Sequence, residues 1–307
     1  MKVLLTGVSS FTGAWFARAL LNAGHTVTAT IRSEIANYNG VRADRLAMAT
    51  GLGVRIIENC AFGDPRFLEQ VARVDAVCHH GAEVANYQSP DFDVAAAVAA
   101  NTFNAREVMN CCAAANAVFI ATGSVFEQDE GLGEAPLVAF SPYGLSKGLT
   151  WQVQRFWAGQ STVPIGKFVI PNPFGPLEEA RFCAYLMRTW AKGEVAEVRT
   201  PSYVRDNIPI DLLALAYVGF VERCVGSRTD SHCAPSGYVE SQGRFAERFA
   251  REIGGRLGLA AELKLAKQTE FAEPIMRTNA ESYLHRWDET TFWDAAAEYY
   301  RTLYLAA

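Results

Sequence analysis

The 307-residue sequence has no uninterrupted apolar stretch long enough to span a bilayer, so no membrane role is expected. It has no basic run that would track a phosphate backbone, and its formal charge is −5, so nucleic acid is not an expected partner. It has no Cys-x-x-Cys pair. Its seven cysteines (Cys60, Cys78, Cys111, Cys112, Cys183, Cys224, Cys233) are odd in number and scattered, mostly in apolar surroundings, as reduced buried thiols would be. Cys78-His79-His80 comes nearest to a metal site, but successive strand residues point to opposite faces and cannot share one ion, so no metal is expected. The start, Met1-Lys-Val-Leu-Leu-Thr-Gly7, lacks the cationic head and cleavage site of a signal peptide, which makes a cytoplasmic location the expectation. Internal repeats and low-complexity segments are absent as well.

What is present is a chain that is half apolar, enough for one large core or two smaller ones. Short β-branched or apolar runs at Lys2–Thr6, Thr26–Ile31, Val54–Ile57, Ala76–Cys78, Val118–Thr122 and Ile165–Ile170 read as strands. Helical patterns fall between them near Gly13–Asn22, Pro65–Val71, Val94–Ala115 and Tyr143–Trp157. Such alternation predicts an α/β fold with a doubly wound parallel (Rossmann) sheet, here over residues 1–171. Residues 172–307 are expected to form a smaller, mostly helical, substrate-binding portion, some of which returns to the first domain. Its helices are expected near Glu179–Lys192, Asp211–Arg223, Ser241–Ile253 and Thr290–Leu303, with a short run at Asn207–Ile210. The Glu- and Gly-rich loop Gln128–Pro136 is the expected mobile segment.

The first strand runs into Thr6-Gly-Val-Ser-Ser-Phe-Thr-Gly13 and then a helix, the context of a dinucleotide-binding turn. Gly7 permits the tight turn, Gly13 lets helix and strand pack closely, and the helix N-terminus offers free N–H groups to a pyrophosphate. Ser10 stands where the middle glycine of a Gly-x-x-Gly-x-x-Gly pattern is usual; its side chain needs room and adds a hydroxyl donor. At the end of the second strand, Ile31 occupies the place where an NAD-binding fold carries an acid, and Arg32 follows it. A guanidinium grips a 2′-phosphate, so NADP(H) is the preferred cofactor and NAD(H) the alternative.

Ser141-Pro-Tyr-Gly-Leu-Ser-Lys147 sets Tyr143 and Lys147 four residues apart, on one helical face. Free tyrosine, with a pKa near 10, is only about a thousandth ionised at neutral pH, and a lysine cation nearby favours the phenolate. Such a phenol can give a proton to a carbonyl oxygen or take one from a hydroxyl.

These residues, in this order, resemble the extended short-chain dehydrogenase/reductase family, in its nucleotide-sugar epimerase, dehydratase and ketoreductase branch, over nearly the whole chain. Val77-Cys-His-His-Gly-Ala82 is similar to the family's fourth-strand motif, and Asn101 to an asparagine that opens a long helix near the site. Ala121-Thr-Gly-Ser-Val-Phe126 is similar to Ser-Ser-x-x-Val-Tyr-Gly, which makes Thr122 the partner of Tyr143 and Lys147 in catalysis and Ser124 a substrate contact. Pro171-Asn-Pro-Phe-Gly-Pro176 and Arg205-Asp-Asn-Ile-Pro-Ile-Asp211 resemble segments whose Asn and Arg, here Asn172 and Arg205, hold the substrate's diphosphate. The resemblance places Gly7, Ser9, Ser10, Phe11, Thr12, Gly13, Arg32, Ser33, Phe62, His80, Gly81, Ala82, Lys147 and Pro171 around the dinucleotide. It also implies a homodimer formed through the long helices.

Dehydratases of this branch carry Asp-Glu after the catalytic Thr, where this chain has Gly123-Ser124, so dehydration is not expected. The expected activity is NADPH-dependent reduction of a nucleotide-linked 4-keto (deoxy)sugar. Alternatives are a nucleotide-sugar 4-epimerase, a reductase of a small non-sugar ketone or aldehyde, and a non-catalytic dinucleotide-binding sensor.

Overall fold

The computed structural model describes residues 1–305. The chain divides into two compact units. The first comprises residues 1–130, 136–170 and 214–234; the second comprises 131–135, 171–213 and 235–307.

The first unit holds the parallel sheet. In chain order it contains β1 (Lys2–Thr6), α1 (Phe11–Asn22), β2 (Thr26–Thr30), α2 (Gly40–Gly51), β3 (Arg55–Ile57), α3 (Pro65–Val71), β4 (Ala76–His79), α4 (Val94–Asn101), α5 (Ala105–Ala114), β5 (Val118–Ser124) and α6 (Pro142–Gln160). Strands Ile165–Ile170 and Ser231–Cys233 complete the sheet, whose order is Ser231–Cys233, Ile165–Ile170, β5, β4, β1, β2, β3. All six pairings are parallel. Strands β1, β4 and β5 are apolar and buried on both faces, as a sheet covered by helices on two sides requires. One side packs Leu4, Val77 and Phe119 with Phe67, Met109 and Cys112. On another, Phe16 of α1 stacks on Tyr217 with ring centroids 3.9 Å apart and meets Phe168 edge-on. β1 has β2 on one side and β4 on the other, so successive connections leave it in opposite directions. The sheet therefore has its crevice at the carboxyl ends of β1 and β4.

Three features of this unit differ from the sequence expectation. The helix anticipated at Val94–Ala115 is two helices, because Asn104 adopts a left-handed conformation (φ 54°) between them. Asn101 consequently ends a short helix instead of opening a long one. α2 was not anticipated: half of its apolar residues are alanine, and Asn39 before it makes no side-chain cap.

The second unit contains three of the four expected helices, at Phe182–Trp190, Gln242–Phe249 and Glu289–Tyr304, and the fourth, Ile210–Ser227, belongs mostly to the first unit. The short run expected at Asn207–Ile210 is the end of a strand, Val204–Pro209, paired to strands that were not anticipated, at Asn172–Phe174, Tyr238–Ser241 and Met276–Thr278. Its core is aromatic, with Phe174 against Phe245, Phe292 and Trp293. The loop Gln128–Pro136 is tied down: Glu130 is buried, and Leu132–Gly133 pairs with Arg277–Thr278. Among the described residues no helix is long and apolar enough to cross a membrane.

Phe16 orients α1 and is completely buried, so Phe16→Ala should lower the unfolding free energy by about 3–5 kcal/mol through lost transfer energy and a cavity. Urea titration followed by circular dichroism measures this; a loss below about 1 kcal/mol would contradict the packing described.

Candidate functional site

The loop after β1 is built by close approach. Gly7 has φ +79°, and a Cβ there would lie 2.8 Å from Gly81 N; a Cβ on Gly13 would lie 2.2 Å from Gly7 O. Only glycine fits either position. Ser10 caps α1, accepting from Gly13 N at 3.1 Å, and its own N–H donates to Gly7 O at 2.9 Å. No acidic residue lies in the first turn of α1, so the end of its dipole keeps a positive potential. The cradle fits a dinucleotide pyrophosphate, held by backbone N–H groups. Ser10 is not the donor expected there: its hydroxyl turns inward and donates to Gly7 O at 2.7 Å. Ser9, Phe11 and Thr12 are buried beside it.

At the end of β2, Ile31 is buried and Arg32 is exposed. Arg32 Nη1 lies 3.0 Å from Glu83 Oε2, and Ser33 follows it half-buried. The unanticipated α2 adds two arginines. Arg42 Nη2 donates to Ser9 Oγ at 3.3 Å, while Arg45, fully buried, reaches Ser9 O at 3.4 Å and lies 5.7 Å from the Phe11 ring centroid. The missed signal was the spacing of Arg42 and Arg45, three residues apart, which places both on one helical face.

At the end of β4 the two histidines separate. His79 Nε2 faces the Asn101 carbonyl at 3.1 Å and therefore carries the ring proton; Nδ1 accepts from the Thr6 hydroxyl at 3.0 Å, which in turn accepts from Gly81 N at 2.7 Å. Phe62 stacks on the His79 ring with centroids 3.9 Å apart. His80 instead meets Phe16 edge-on, at 5.1 Å, beneath the loop. Ala82 is half-buried just beyond. Burial, then Lys147, depresses both histidines to about 3, so both are neutral at physiological pH.

α6 begins at a Ser141 cap with Pro142 in its first turn. Gly144 presses on the turn after β5 so closely that a Cβ would lie 2.2 Å from Phe126 O, fixing Tyr143 beside it. Tyr143 is half-buried, with Tyr87 edge-on at 5.3 Å and Phe92 at 6.2 Å. Lys147, one helical turn on, is buried and donates to the Thr122 carbonyl at 2.5 Å. Burial lowers the Lys147 pKa, the Glu127 charge opposes that shift, and Lys167 adds to it. Lys147 thus engages the Thr122 carbonyl. The Thr122 hydroxyl is buried near that of Tyr217 without an aligned hydrogen bond. Ser124 is held in the turn, its N–H donating to Glu127 Oε1 at 2.7 Å and its Oγ accepting from Phe126 N at 3.2 Å.

Below Gly123 lies a buried ionic cluster that sequence reasoning missed. Lys167 Nζ sits 2.6 Å from Glu127 Oε2 and 2.7 Å from Glu130 Oε1; Glu130 Oε2 lies 3.0 Å from His232 Nε2. A Cβ on Gly123 would come within 2.7 Å of Lys167 Cε. Glu127, the carboxylate bonded to the end of β5, is wholly buried and paired with lysine.

Pro171, Asn172 and Arg205 belong to the second unit. Pro171 is buried. Asn172 pairs in register with Asn207, and its Nδ2 is buried without a hydrogen-bond partner. The guanidinium of Arg205 is engaged within its own unit, by Glu273 at 2.9 Å and by the carbonyls of Val204, Pro274 and Ile275. A surface diphosphate would compete with that ion pair. Arg277, in register with Arg205 on the adjacent strand, is almost fully buried and was not singled out from sequence.

The Lys167 cluster generates a stability prediction. Lys167→Met leaves Glu127 buried without its cation and should cost about 3–5 kcal/mol, with much of it recovered in Lys167→Met/Glu127→Gln. Chemical denaturation of the three proteins measures this; a double variant less stable than the single one contradicts the pairing.

Comparison with known proteins agrees with this geometry. No curated protein sequence matches the chain. Among solved structures, UDP-glucuronic acid 4-epimerase of Bacillus cereus, with UDP-4-deoxy-4-fluoro-glucuronic acid and NAD, is similar with a TM-score of 0.77 at 16% identity, covering 99% of this chain and all of that one. UDP-glucose-4-epimerase of Stenotrophomonas maltophila, with NAD and formylated UDP-arabinopyranose, gives 0.76 at 17% identity, covering both chains completely. The dTDP-glucose 4,6-dehydratase of Streptomyces venezuelae, with NAD, gives 0.72 at 15%, covering 98% of this chain and 97% of that one. At such identities the likeness is one of fold. The family model described as "NAD dependent epimerase/dehydratase family" matches residues 3–229, most of the chain. With the glycine cradle at the switch point and Tyr143–Lys147 beside β5, the chain belongs to the NAD-dependent epimerase/dehydratase family, of the extended short-chain dehydrogenase/reductase type.

Proposed function

We propose that this protein reduces a nucleotide-linked 4-keto (deoxy)sugar to the 4-hydroxy sugar at the expense of NADPH. The observation that carries this reading is the arrangement at the adenosine end of the loop. Ile31 stands where an acid would hold an NAD ribose, Arg32 follows it, and α2 brings Arg42 and the buried Arg45 onto Ser9. Two guanidinium groups on Ser9, with Arg32 at the end of β2 and no acid at Ile31, favour a 2′-phosphate over a 2′-hydroxyl. Net reduction draws on the phosphorylated cofactor, so the choice of cofactor supports the choice of reaction.

When bound, NADPH would supply a hydride to the sugar carbonyl carbon. The chain supplies the proton. Tyr143 delivers it from its phenol to the carbonyl oxygen, which becomes the new hydroxyl, and solvent then restores the phenol. Lys147, anchored on the Thr122 carbonyl, favours the phenolate left behind. Thr122 and Ser124 at the end of β5 are the proposed contacts of the reacting oxygen and the sugar. Asn172, with its unpaired buried donor, is the proposed contact for the diphosphate region, ahead of Arg205. Dehydration is disfavoured because Gly123-Ser124 offers no carboxylate, and Glu127 is neutralised by Lys167.

A second reading, 4-epimerisation with retained NAD, is favoured by the named epimerases with NAD among the similar structures. One assay separates the two. With nucleotide-linked 4-keto sugars and NADPH, the reductase reading predicts stoichiometric loss of the reduced cofactor's near-ultraviolet absorbance. No loss with the 4-keto sugars, together with interconversion of the corresponding nucleotide-linked 4-hydroxy epimers, would overturn it. Tyr143→Phe should lower turnover by about 100-fold or more while leaving cofactor affinity unchanged. Arg42→Ala should raise KM for NADPH about tenfold and leave that for NADH within about twofold.

The protein is also proposed to form a homodimer. Leu145, Leu149 and Phe156 on α6, together with Phe103, are exposed, and the α6 residues recur at helical spacing. Leu149→Glu/Phe156→Glu should halve the mass measured by light scattering; an unchanged mass would overturn this interface.

A further inference from the structure

Ser10, where the loop departs from three glycines, and His80, the second histidine after β4, meet at one point. The Ser10 hydroxyl has one proton and two lone pairs, and three groups lie on it. These are Gly7 O at 2.7 Å, Gly13 N at 3.1 Å and His80 Nε2 at 3.0 Å. The Gly7 carbonyl can only accept, so it takes the hydroxyl proton. The Gly13 amide can only donate, so it fills one lone pair. His80 Nε2 is left facing the other and must donate, which places the ring proton on Nε2. Thr12 Oγ1, 2.8 Å from the same nitrogen, is a second acceptor for it.

The other side of the ring gives the same answer. His80 Nδ1 is buried with no hydrogen-bond partner. The reverse tautomer would bury an N–H donor there without an acceptor and oppose two lone pairs across 3.0 Å at Ser10. The ring has little freedom to turn: a Cβ on Gly13 would lie 2.9 Å from His80 Cδ2, and Phe16 packs edge-on against the ring.

We propose that Ser10 and His80 form a matched pair that does the work of the missing glycine. The imidazole Nε2–H closes the serine hydroxyl inside the turn, so a dinucleotide pyrophosphate meets the loop's backbone N–H groups and not a side chain. His80 is then a positioning residue for cofactor binding, in a reductase or an epimerase alike; the pairing rests on family-level dinucleotide binding and not on the choice of reaction.

The test is a double-mutant cycle on cofactor affinity, read by calorimetric titration of cofactor-free protein. His80→Leu should weaken NADPH binding about tenfold when residue 10 is serine, and less than about twofold in the Ser10→Gly background. Ser10→Gly alone should change affinity less than about threefold. His80→Gln, whose amide can donate from the same position, should restore binding to within about threefold and guards against a fold defect in the leucine variant. Nitrogen-15 spectra of the imidazole should show a protonated Nε2 and a bare Nδ1 at neutral pH. Equal losses from His80→Leu in both backgrounds, a tenfold loss from Ser10→Gly alone, or the opposite tautomer would each overturn the pairing.

Discussion

The approach of Gly13 to the Gly7 carbonyl is the contact from which the rest of the site follows. It lets α1 start directly behind the end of β1, so that its unpaired N–H groups and dipole face the crevice at the sheet's switch point. Gly81, arriving from β4, packs on Gly7 from the other side, and its N–H bonds the Thr6 hydroxyl. Two strand ends and one helix end therefore converge within hydrogen-bond distances. A methyl group at either glycine would separate them.

The proposed proton-handling half of the site depends on a different crowding. α6 is held to the turn after β5 by Gly144 on Phe126 and by Lys147 on the Thr122 carbonyl. Burying an ammonium is costly, and the nearby Glu127 offsets part of that cost. Glu127 in turn is shared with Lys167, and through Glu130 the chain of charges reaches the half-exposed His232. Lys147 thus remains close to a carboxylate that neither touches solvent nor competes for substrate. The charged groups at the base of the site are paired with one another, and the phenol of Tyr143 is the proposed proton donor at its mouth.

The parts of this arrangement that are local in sequence were legible there. Strand β1, the Gly7–Gly13 turn, the helix near Tyr143–Trp157 and the Tyr143–Lys147 spacing each show as a local pattern, where periodicity and turn chemistry speak directly. What was missed is non-local or against propensity. Lys167 meets Glu127 across forty positions of chain, and no pattern in either segment announces the other. α2 lacks a side-chain cap and buries Arg45 on its inner face beside Leu46 and Ala49, so Arg42 and Arg45 had no helix to be placed on. Asn104 splits α4 from α5 by a backbone conformation that asparagine tolerates but does not demand. The inward turn of Ser10 required knowing that His80, seventy residues away, lies beneath it.

The central claim is that the site uses its proton donor in a net reduction with NADPH. Labelling tests this directly: NADPH deuterated at both nicotinamide C4 positions is incubated with a nucleotide-linked 4-keto sugar, and the product is followed by NMR. The account predicts one deuterium at C4 of the sugar per NADP formed. An unchanged 4-keto sugar with the cofactor unconsumed, while the corresponding nucleotide-linked 4-hydroxy epimers interconvert in a parallel reaction, would contradict it.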